Sequence, residues 1–128
     1  MWQIEPTTGW ERDHKHYARK RPNELAAVLR NLDRYMKFLA VSKNSKGLQA
    51  GYLHHEPGGV VAVDQKGGGA NLQETRLYTY ADDNAKTVYL IAMGDKDTQH
   101  ADIEYCKQFV KTLRNAVEGD RDDDGKKE

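Results

Sequence analysis

Arg76 sits in the run "TRLYTY", and Tyr78 and Tyr80 follow it at intervals of two. Strand side chains alternate between faces, so these three share one face, while Leu77 and Thr79 take the other. An arginine beside two tyrosines can hold a phosphate and stack bases. The same residues also allow a plain sheet face with a structural ion pair from Arg76 to Glu74 or Asp95. Proton-transfer groups are on offer in His54 and His55, which precede Glu56 and a proline–glycine turn, and in His100, which lies in the first turn of a helical stretch. For the 54–56 trio, surface loop residues are the commoner outcome. Lys66 precedes three consecutive glycines, Gly67 to Gly69. Such a run carries a backbone entropy cost. It is either a flexible hairpin tip or a side-chain-free approach for a ligand, with Lys66 as counter-charge. It is not a nucleotide-binding loop, because the spacing is wrong and no helix follows.

A second basic feature is "HKHYARKR", His14 to Arg21, with six basic or titratable side chains in eight positions around Tyr17. Arg19, Lys20 and Arg21 there can attract RNA phosphates through a salt-screened field, or they can be the solvated surface of a helix. His14 and His16 lack a third ligand at convincing spacing, so neither a metal site nor a cofactor is expected. Cys106 is the single cysteine. It excludes an intramolecular disulfide and suits a small buried hydrophobe. Trp2, Trp10 and Phe109 read as packing residues.

The elements that must position these groups follow from periodicity. Residues 2–4 suit a short strand ended by Pro6, since proline cannot donate to a ladder. Residues 10–20 suit a mostly polar helix with one aromatic edge, Trp10 and Tyr17. Pro22 opens a second helix whose Leu25, Val28, Leu29, Leu32, Tyr35, Met36 and Leu39 form one apolar stripe to about Val41. "LQAGYLHHEPGG" reads as a connector. Val60 to Asp64, Thr75 to Tyr80 and Thr87 to Met93 read as strands, the last two joined by the polar turn "ADDNAK". Ile103, Cys106, Val110, Leu113 and Val117 recur at helical spacing, which predicts a helix from Asp97 to about Glu118 with Asp97 or Thr98 as N-cap. The fold class is α+β: one curved antiparallel sheet with two N-terminal helices and a C-terminal helix packed on it.

With 128 residues, the chain reads as one domain over 1–118 and a disordered acidic tail over 119–128, "GDRDDDGKKE", which holds no apolar residue. Lys and Arg number 20 and Asp and Glu 20, yet residues 1–50 carry ten bases against five acids. Without the tail the body is two charges positive, 17 bases against 15 acids, weak for a dedicated nucleic-acid binder. The apolar runs fall far below the roughly 20 residues of a membrane helix. The N-terminus has neither a basic n-region nor an apolar h-region. A cytoplasmic protein is expected.

The order of elements, together with "TRLYTY" and the strand "TVYLIAMGDK" running into a helix, resembles the RelE/ParE superfamily of bacterial toxins, including its HigB-like branch. The similarity covers most of residues 10–117 and is strongest in the "RLYTY" and "YLIAMGDK" strands. It implies the toxin of a type II toxin–antitoxin pair, a ribosome-dependent endoribonuclease acting on messenger RNA without metal. In that chemistry the ribose 2′-hydroxyl attacks the adjacent phosphate. Its needs are a base at that hydroxyl, cations where charge develops and an acid at the leaving group. The resemblance places the phosphate-contacting arginine at Arg76, basic positions at Lys66 and Lys96, and proton transfer on His100 or on a histidine of the 54–55 pair, His55 foremost. Tyr78, Arg19, Lys20 and Arg21 would complete the RNA contacts. The arginine and tyrosine that the family carries after its last strand correspond here to Thr98 and Asp102. Implied partners are a cognate antitoxin, acidic and partly disordered when free, and the ribosome with its message. Two alternatives share the fold: a ParE-like toxin that binds a topoisomerase and cleaves nothing, and a non-toxic phage-derived interaction domain.

Overall fold

A computed structural model describes the backbone of residues 1–126 and the side chains through residue 116. The elements in chain order are β1 (Gln3–Pro6), α1 (Thr8–Lys20), α2 (Pro22–Ala40), β2 (Leu53–His55), a 3-10 turn (Pro57–Gly59), β3 (Val60–Asp64), β4 (Thr75–Asp82), β5 (Thr87–Asp95) and α3 (Gln99–Lys126). The expected tail over 119–128 lies outside the residues whose side chains are described.

The five strands form one sheet in the order β1-β5-β4-β3-β2. The α+β class with two N-terminal helices and one C-terminal helix is as the periodicity predicts. Two expectations need correction. The sheet is mixed, because β1 pairs with β5 in parallel; α1 and α2 carry the chain from β1 to β2 at the opposite edge, and the antiparallel strands then lead back to β5 beside β1. The segment read as a connector also contains an edge strand, β2, whose three residues pair antiparallel with β3.

Alternation along the strands builds two cores. Val61, Val63, Leu77, Val88, Leu90 and Met93 face α1 and α2, meeting Trp10, Tyr17, Leu25, Val28, Leu32, Tyr35 and Leu39. Val60, Ala62, Tyr78, Ile91 and Ala92 face α3, meeting Cys106 and Val110. Ile91 and Ala92 share a face because the register shifts between Tyr78 and Thr79, where Tyr78 opposes Ala92 and Thr79 opposes Leu90. Such a bulge resets the period of two. The backbone it strands is taken up by α1: the Thr7 hydroxyl caps that helix at Trp10 N and donates to the Ile91 carbonyl at 3.2 Å. Further along β5, the Met93 N–H donates to Asp13 Oδ2 at 3.0 Å. Beyond the end of β1, α1 therefore satisfies the outer edge of β5.

The triple glycine has a packing reason. Gly67 and Gly69 adopt φ of +86° and +130°, and a Cβ on Gly68 would lie 2.2 Å from the Ala27 Cβ of α2. The loop is thus laid against α2, and it is tied there by the Gln73 N–H donating to Glu24 Oε2 at 3.0 Å and by a bond from Arg21 Nη1 to Gln73 Oε1. This is not a free hairpin tip. Gly68→Ala is expected to destabilise the fold by about 1–3 kcal/mol through overpacking, a fall in Tm of roughly 5–10 °C by calorimetry, because the atom it meets is fixed to a helix.

Candidate functional site

Asp64 ends β3 directly opposite Arg76 on β4, and His54 on β2 lies opposite Ala62. Alternation puts His54, Asp64 and Arg76 on the same face, the one that α3 covers further along. They line a cleft of about 390 Å³ with Gln65, Lys66, Leu72 and Glu74. Asp64 is its anchor, with a side chain only 3% exposed. Its Oδ2 lies 2.6 Å from His54 Nε2 and 3.6 Å from Lys66 Nζ, and its Oδ1 accepts the Lys66 N–H at 2.8 Å. Asn31 of α2 donates to the Asp64 and Lys66 carbonyls at 2.9 and 2.8 Å. This holds the turn after β3 in place.

A carboxylate only accepts, so the Nε2–H of His54 is the donor in that bond, and in the neutral ring Nδ1 carries the free lone pair. His54 is thus oriented as a proton acceptor by a buried partner, with the Lys66 ammonium alongside. Arg76 is bracketed instead. Its Nη1 lies 3.3 Å from Glu56 and its Nη2 3.0 Å from Glu74, its side chain is 14% exposed, and its buried Nε has no partner. The ion pair to Glu74 was one of the two outcomes the sequence allowed.

The residues singled out in the sequence are distributed unevenly. Lys66 and Arg76 line the cleft, and Arg21 reaches the adjoining loop through Gln73. The histidine in the cleft is His54, whereas His55, one residue on and facing away, has Nε2 2.6 Å from the Leu48 carbonyl. His100 and Lys96 are exposed near the start of α3, and Arg19 and Lys20 are exposed in the last turn of α1; none of the four lines the cleft. Tyr78 is corrected outright: it is fully buried beneath α3, and burial raises its phenol, so it offers no base-stacking platform. Asp64 and Glu56 were missed as neighbours of Arg76. Only the strand register brings them round Arg76.

Thr98 and Asp102, standing where the family carries arginine and tyrosine, form a local cap. The Thr98 hydroxyl donates to Asp102 Oδ2 at 2.6 Å, against Gly94, whose missing side chain leaves the room. Burial raises the Asp102 carboxyl above the ordinary range. Cys106 is buried, and burial first, then the Asp102 and Asp13 charges, push its thiol up to about 12. A thiol so protonated is a poor nucleophile. Among the described residues no three His, Cys, Asp or Glu side chains are grouped to hold a metal ion, and no helix is long and apolar enough to cross a membrane.

Comparison of the chain with protein-family models, with curated proteins and with solved structures gave no match.

Proposed function

We propose that the cleft cleaves RNA by attack of a ribose 2′-hydroxyl on the adjacent phosphate, and that the chain acts as a RelE/HigB-like toxin on ribosome-bound message, restrained by an antitoxin. The observation that carries the reading is the bond between buried Asp64 and partly exposed His54, 2.6 Å apart, beside Lys66 and Arg76 in one cleft. His54 Nδ1 takes the 2′-hydroxyl proton as O2′ bonds to phosphorus. Asp64 fixes the ring and stabilises the imidazolium that forms. Lys66 and Arg76 stabilise the charge that develops on the non-bridging oxygens. The P–O5′ bond then breaks and O5′ takes a proton from solvent, leaving a 2′,3′-cyclic phosphate and a 5′-hydroxyl. The more exposed Glu74, at 39% against 15% for Glu56, is the carboxylate that an incoming phosphate displaces from Arg76.

One observation favours a second reading. A guanidinium already neutralised by two carboxylates is also what a purely binding, ParE-like protein or an inert relative would hold. Expression of the wild-type chain beside Asp64→Asn in growing cells separates them. The proposal expects growth arrest with loss of message from the wild type alone. Arrest by both variants with DNA damage supports a topoisomerase-binding toxin, and no arrest supports the non-toxic domain.

A further inference from the structure

We infer that the groove between α3 and the Pro57–Gly59 turn is a second binding surface, which holds the single-stranded RNA flanking the cleaved bond. The choice of RNA as its occupant rests on the activity proposed above. The groove encloses about 440 Å³ and is lined by Gly58, Lys107, Lys111 and Arg114, with Glu104 at one end. The three cations fall at i, i+4 and i+7, one side of the helix, spaced about 6 Å per four residues. Lys107 pairs with Glu104 at 3.4 Å, a surface pair that a phosphate readily replaces. Among the described residues Lys111 and Arg114 have no carboxylate partner.

Aromatic rings accompany this charge. The Arg114 guanidinium lies 5.4 Å from the Tyr80 ring centre, with its Nε 3.4 Å from the Tyr80 hydroxyl. Tyr80 stacks on Tyr89 at 6.4 Å, and Tyr89 meets Phe109 at 6.0 Å. All three rings are half-buried. Cations that track a backbone beside rings on which bases stack are the elements of single-strand recognition. An acidic peptide would use the charges and leave the rings idle.

One turn and one strand connect the groove to the cleft. Glu56, which pairs with Arg76, is followed directly by the turn that forms the groove wall, and Gly58 there packs against the Lys107 side chain. Tyr80 and Arg76 are four residues apart on β4, about 13 Å along a strand. RNA leaving the cleft over this turn enters the groove.

The test uses the full chain and a 2′-O-methyl single-stranded RNA of about 12 nucleotides, within the known range of single-strand site sizes. This probe cannot be cleaved, so binding is read apart from chemistry. Fluorescence anisotropy is measured across a salt series for the wild type, for the triple variant Lys107→Gln, Lys111→Gln, Arg114→Gln, and for Tyr80→Leu. The triple variant is expected to bind at least tenfold more weakly, with a salt slope shallower by about 2. Tyr80→Leu is expected to lose roughly tenfold in affinity with the slope unchanged. Unchanged affinity and slope in the triple variant would overturn the inference. So would a polyglutamate peptide that binds the wild type as tightly and loses affinity in the triple variant alone, which marks an acidic protein partner. A chain that binds the probe through these residues yet cleaves no message keeps the groove and loses the ribonuclease.

Discussion

His54→Ala is expected to lower the single-turnover rate of RNA cleavage by roughly 10²–10⁴-fold, the usual contribution of a positioned acid–base group. Its loss leaves the strand pairing of β2 intact and Asp64 still bonded to the Lys66 N–H, so the variant should fold, with a Tm lowered by the partner that the buried carboxylate loses. Asp64→Asn is expected to act nearly as strongly for a different reason. The amide fills the same space and its oxygen still accepts the Lys66 N–H, but it removes the charge that steadies the imidazolium and can present an N–H to Nε2, favouring the wrong tautomer. Because Asp64 is buried and acts through His54 and through Lys66, both of which it holds, it is a positioning residue. The two variants should therefore be less than additive: the double variant should be slower than His54→Ala only by what Asp64 contributes through Lys66. His55→Ala and His100→Ala should leave the rate unchanged, since neither lines the cleft.

Arg76 carries the second large effect, and stability and activity must be separated there. Arg76→Ala leaves Glu56 and Glu74 facing each other across a largely buried site. Removing one partner of a buried ion pair destabilises by about 3 kcal/mol, which for a chain of this size is roughly 10 °C in Tm. Loss of activity in that variant alone would therefore say little. Arg76→Lys keeps the charge and loses the fork that reaches both glutamates, so it should fold better and still cleave roughly 10²-fold more slowly, as expected for a lost phosphate-stabilising donor. Glu74→Gln points the other way. It frees one arm of the guanidinium, so RNA should bind more tightly with a Tm lowered only slightly, because Glu74 is the exposed partner.

Much of the fold was legible because its long elements carry clean periods. The stripe from Leu25 to Leu39 and the strands after Val60 are set by burial on one or both faces, and alternation alone puts Arg76, Tyr78 and Tyr80 on one face. What escaped were features decided by distant partners. β2 has only three residues, two of them histidines, and its strand state is imposed by pairing with β3. The choice of His54 over His55 is a register matter, since a shift of one residue exchanges the faces. Tyr78 was correctly placed beside Arg76, but nothing local to the strand says how far along that face α3 lies. The glycines are the sharpest case: their composition suggests freedom, whereas Gly68 is required by the nearness of Ala27.

The most direct test of the central claim is end-group analysis of messenger RNA in a purified translation system, with wild type, His54→Ala and Asp64→Asn compared in the presence and absence of ribosomes. Ribosome-dependent cuts bearing 2′,3′-cyclic phosphate and 5′-hydroxyl ends are expected from the wild type and should be lost in both variants. Intact message with the wild type, or cuts that persist in His54→Ala, would contradict the claim.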